Sequence, residues 1–160
     1  MRIVLFCFFF FSLFTFSQEK KVVDLLNKQL MKEIKKFSDE DSLKIIQPFH
    51  VDESKKLVLE VEKYNSYSEQ WEVIKAEVPL DKISGFIRDI NVIFETEYND
   101  VSETITTYNE KRELLTTNTR NTNMFFTQIS KENNIKSFRN AVLKAFKRAG
   151  FSINSEFWAN

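Results

Sequence analysis

Between residues 56 and 99 the spacing of hydrophobic positions changes from two to three or four and back to two. Leu57, Leu59 and Val61 alternate with Val58, Glu60 and Glu62. Successive strand side chains point to opposite faces, so the first set faces a core while Glu60 and Glu62 face water. Val92, Phe94, Thr96 and Tyr98 alternate in the same way with Ile93, Glu95, Glu97 and Asn99. Residues 71–78 (WEVIKAEV) are β-rich but leave their register open. Pro79 has no N–H to give and ends that ladder. Leu80, Ile83, Phe86, Ile87 and Ile90 then follow at helical spacing, which predicts a short middle helix with Gly85 inside it.

The same reading extends to both ends. Val23, Leu26, Leu30, Ile34 and Phe37 lie on one face of an amphipathic helix over 20–37, with lysines on the remainder. Residues 38–42 (SDEDS) form an acidic turn, lacking the alternating oxygens and central glycine of a calcium loop. Residues 43–51 read as an edge strand because Pro48 interrupts them. Strands are expected over 101–108 and 113–117, an asparagine-rich turn over 118–123, and a last strand over 124–129, buried on both faces at its start. Ile135, Phe138, Ala141, Val142, Ala145, Phe146 and Ala149 define a long C-terminal helix. Asn133 or Asn134 caps its start, and Gly150 followed by Phe151 stops it. The fold class is α+β: an antiparallel sheet of about five to seven strands, with an N-terminal helix, a short middle helix and a long C-terminal helix packed on it.

The first segment stands apart. Met1-Arg2 precedes an apolar run to Phe16, and Thr15 and Ser17 place small residues at the −3 and −1 positions before Gln18. This is the pattern of a cleavable signal peptide, and a stretch of fourteen residues falls short of the ~20 a spanning helix needs. The expected division is a leader over 1–17 and a single domain over 18–160, exported to the periplasm or the exterior. The one cysteine, Cys7, leaves with the leader, so disulfide, thiolate and cysteine-ligated metal chemistry leave with it. Of the 23 basic residues Arg2 is also lost, leaving 22 against 23 acidic ones, a net charge of −1. Nucleic-acid binding rests on a basic footprint that this balance does not supply. Two isolated glycines cannot build a phosphate-binding loop. No cofactor and no metal is expected.

Several residues remain as candidates. His50 is the only histidine, which removes two-histidine metal sites and leaves it a structural residue beside Pro48 and Phe49. Glu95 and Glu97, two steps apart on one strand, lie at a separation a glycosidase tolerates; the plainer reading is the polar face of a half-buried strand. Tyr64, Tyr67 and Trp71 surround the hairpin turn YNSYSEQW and offer a platform for a sugar ring or a partner's apolar anchor, or else fold back over the sheet edge. Phe157 and Trp158 are expected to dock on the core. Lys136, Arg139, Lys144, Lys147 and Arg148 give the last helix a basic face. It suits anionic lipid or an acidic partner, although the helix dipole alone favours cations at that end.

The leader ending in Phe-Ser-Gln and the Asn-, Lys- and Phe-rich composition resemble those of small exported proteins of Bacteroidota. The segments VPLDKI…RDINVIFETE, NMFFTQIS and AVLKAFKRAGF, from about Val73 onward, are similar to a pattern among uncharacterised members of that set. The resemblance implies no known activity, so it transfers no functional residue. The reading that follows is a non-enzymatic binding protein of the cell envelope, its partner an envelope protein or glycan. The alternatives are a small carboxylate-dependent hydrolase of glycans and a protein touching anionic lipid through its basic helices.

Overall fold

A computed structural model of the chain describes residues 18–34, 43–130 and 135–156. Helix α1 covers 18–34. Strands β1 (Lys44–Val51), β2 (Lys56–Asn65) and β3 (Gln70–Pro79) follow, then a single 3-10 turn (Leu80–Lys82). Next come β4 (Ile83–Arg88), β5 (Val92–Thr96), β6 (Val101–Tyr108), β7 (Leu114–Thr122), β8 (Met124–Phe126) and helix α2 (Ile135–Arg148). The strands pair antiparallel in two sheets, ordered β1-β2-β3-β6-β7 and β4-β5-β8. The α+β antiparallel class is therefore as the alternation predicts, with eight strands in two sheets in place of five to seven in one. Residues 1–17, where a leader is expected, residues 35–42, the expected caps Asn133 and Asn134, and Phe157-Trp158 lie outside the described residues.

Three expectations are corrected. Residues 80–90 contain no α-helix among the described structure: a 3-10 turn leads directly into β4. The cause is a register shift between Ile83 and Gly85. A bulge adds one residue to a strand, so Ile83 and Phe86, three apart, both face the core opposite Thr96 and Phe94. That spacing imitates a helix. Of the asparagine-rich stretch 118–123, residues 118–122 are not a turn but the body and end of β7, and only Asn123 lies beyond it; the chain reverses earlier, at 109–113. The last strand spans only Met124–Phe126, where Phe125 is buried and Phe126 exposed, so it is one-sided.

Leu57, Leu59 and Val61 of β2 and Ile74, Ala76 and Val78 of β3 face the core, with all ten residues of β2 paired to β3 from Lys56↔Pro79 to Asn65↔Gln70. In the small sheet Phe86, Phe94 and Phe125 lie in one row across β4, β5 and β8. Phe138 and Phe146 of α2 rest on that row, with ring centroids 6.2 Å from Phe86 and 5.4 Å from Phe94, and Phe49 of β1 meets Phe125 at 6.3 Å. Burying such rings supplies much of the core's stabilisation, and their tilted packing adds to it. Helix α2 ends as its Gly150 predicts. With φ of 91°, Gly150 lets its own N–H reach the Lys147 carbonyl while the Phe151 N–H reaches that of Phe146.

Helix α1 is tied down at its middle and its C-terminal end by side chains. The Asn27 amide donates to the Phe49 carbonyl (2.8 Å) and accepts from the Phe49 N–H (2.9 Å). The buried Glu33 carboxylate accepts the Ser130 N–H at 2.6 Å. After α2, Asn154 bridges to β4: its N–H donates to the Ser84 carbonyl and its carbonyl accepts from the Phe86 N–H, both at 2.7 Å.

Candidate functional site

With so few glycines, the hairpins of the large sheet close on other residues. Lys55, Glu69 and Arg112 hold φ of 63°, 54° and 64° in the β1–β2, β2–β3 and β6–β7 turns. Asn65 organises the second turn by accepting the N–H groups of Tyr67 and Ser68. Asn109 organises the third, accepting the Glu113 N–H at 2.9 Å and donating to its carboxylate at 2.7 Å. Both turns lie at the same end of the sheet, separated by an open cleft of about 310 Å³ between residues 68–70 and Asn109, Glu110, Lys111 and Glu113.

Register brings an aromatic row to that end. Tyr64 lies opposite Trp71, Trp71 opposite Tyr108, and Tyr108 opposite the exposed Leu114. The Tyr64 and Trp71 rings are 5.1 Å apart, and the Arg112 guanidinium sits 3.8 Å above the Trp71 ring. Arg112 also makes a two-pronged contact with the Glu62 carboxylate, at 2.5 and 3.4 Å. A cation over indole, held there by a largely buried carboxylate, fixes the turn over the ring. Tyr67, at the tip, is fully exposed.

The structure thus brings Tyr64 and Trp71 together and leaves Tyr67 free in solvent, while Glu62, Tyr108, Arg112 and Leu114 join them unanticipated. Tyr108 was the legible signal. Once β6 pairs with β3, it falls opposite Trp71.

The other candidates are placed apart. Glu95 is half-buried on β5, its carboxylate lying over the site of Gly85, where a Cβ would meet Oε2 at 2.8 Å. Glu97 is exposed beyond Thr96, where β5 ends, so no single strand face holds the two carboxylates. The His50 ring is engaged within its own strand, Nδ1 donating to the Pro48 carbonyl at 3.1 Å and Nε2 facing the Gln47 amide at 3.4 Å. On α2, Lys136, Lys144, Lys147 and Arg148 are exposed, whereas Arg139 donates to the Ser155 carbonyl (2.7 Å) and hydroxyl and so anchors the tail. Among the described residues no three or more of His, Cys, Asp and Glu are grouped to hold a metal ion, and no helix is long and apolar enough to cross a membrane. Comparison with family models, curated proteins and solved structures returns no match.

Proposed function

We propose that the chain is an exported, non-enzymatic binding protein of the cell envelope that engages its partner, a protein or a glycan, at the hairpin end of the large sheet. The observation that carries this reading is the in-register row Tyr64–Trp71–Tyr108–Leu114, flanked by the exposed Tyr67 and backed by Arg112. Tyrosine, tryptophan and arginine are the side chains that most often dominate binding energy at interfaces, because they offer large rigid area with a polar edge. Two ordered turns hold them, so little conformational entropy is lost on contact.

Tyr67 tests this reading because it supports nothing else in the fold. Affinity capture from envelope extract and a glycan panel are run side by side with wild type and Tyr67→Ala. One partner or glycan retained by wild type and lost by the variant, with an unchanged melting temperature, supports the proposal. Identical recovery by both proteins overturns the assignment of the site. Trp71→Ala is expected to lose binding together with stability, since the ring carries Tyr64 and Arg112.

A further inference from the structure

Sheet edges expose unpaired N–H and C=O groups and are normally blunted. The two sheets have four edges: β1, β7, β4 and β8. On β1, Pro48 removes a donor, two register shifts break the ladder, and the Asn27 amide occupies both backbone groups of Phe49. The β4 edge is occupied at Ser84 and Phe86 by Asn154. The β8 strand has three residues. Strand β7, nine residues long, has none of these devices: it contains no proline, glycine or lysine, and its register with β6 is regular from Val101↔Thr122 to Thr107↔Thr116. Eight of its nine residues are exposed, so both faces meet solvent and the β6 ladder is what holds it.

The centre of β7 (LLTTNTRNT), Thr117-Asn118-Thr119, reads the same in both directions. Paired antiparallel with its own copy around that residue, it sets Asn118 opposite Asn118, Thr117 opposite Thr119, Thr116 opposite Arg120 and Leu115 opposite Asn121. Its one charge, Arg120, is already neutralised within the subunit by Glu103 and meets no like charge. Within the subunit Thr104 lies opposite Thr119 and Thr106 opposite Thr117, with hydroxyls 3.0 and 3.3 Å apart. Self-pairing extends each of these into a row of four threonines across four strands, and cross-strand threonine pairs are favourable. A two-fold axis closes the assembly at two copies, because it uses up both free edges.

We propose that β7 is a self-association edge, through which two copies of this chain join their large sheets into one ten-stranded sheet. This rests on the edge and not on the aromatic row, so the two proposals fail separately.

Sedimentation of the purified protein over a concentration series reads the assembly, and wild type is expected as a dimer. Asn118→Lys sets ammonium groups against each other on the axis and is expected to weaken the dimer by about tenfold or more. Its fold should be unaffected, since the exposed Asn118 side chain reaches only the Thr116 hydroxyl. Under mild oxidation Asn118→Cys is expected to form a covalent dimer and Asn121→Cys not to, with wild type controlling for Cys7. A wild type that stays monomeric at about 100 μM, a scale at which such weak association is populated, overturns the proposal. So does a dimer indifferent to Asn118→Lys, or one cross-linked equally from both positions. An edge that binds only extended peptides of other proteins gives the monomer result.

Discussion

Glu69 and Arg112 share a left-handed backbone but not a role. Such a conformation costs a non-glycine residue about 1–2 kcal/mol, which glycine avoids at some entropic loss. Glu69 offers nothing in return that Glu69→Gly would forfeit, so that variant is expected to gain about 0.5–1 kcal/mol in urea unfolding. Arg112→Gly relieves the same strain, but it strips the cation from Trp71 and the partner from Glu62. A net loss of about 1 kcal/mol is expected in the same measurement. Glu33 allows a similar contrast. Glu33→Ala orphans the Ser130 N–H and should cost about 1–3 kcal/mol, while Glu33→Gln keeps an acceptor and should recover part of it. At this scale the sequence was partly readable. The aromatics around YNSYSEQW were visible from residue type alone, but the arginine that covers Trp71 lies 41 positions further on (112 against 71) and only the pairing of β3 with β6 reveals it.

Among elements, legibility followed regularity. On β2 the alternation gave only the core face, for Glu62, expected in water, is buried. β2, β5 and α2 were evident because an alternation or a 3.6-residue repeat reported a core face, and β6 because threonine favours strands. β4 was not, because its bulge makes two core residues fall three apart. β7 was legible only in its first half, within the strand expected over 113–117, because a strand exposed on both faces carries no hydrophobic period and its asparagines read as turn residues. The small sheet depends on its phenylalanine row. Phe94 touches Phe86, Phe125 and Phe146 at once, so Phe94→Ala is expected to cost about 3–5 kcal/mol by denaturant titration, near the upper range for core truncations. The expected two-carboxylate arrangement failed for a reason of the same kind: β5 stops at Thr96, one residue before Glu97.

For the molecule as a whole, α1 and α2 and the two sheets share one apolar cluster, and the contacts that join them span long stretches of chain. Glu33 meets Ser130 across 97 positions, and Asn154 completes β4 from beyond the last helix. Asn154 also has a temporal meaning. The edge strand it covers is synthesised well before it, so β4 keeps an open edge until α2 and Asn154 have followed it out of the ribosome. A sheet edge completed from that far along the chain is a non-local contact, the kind that slows folding relative to chains dominated by local ones.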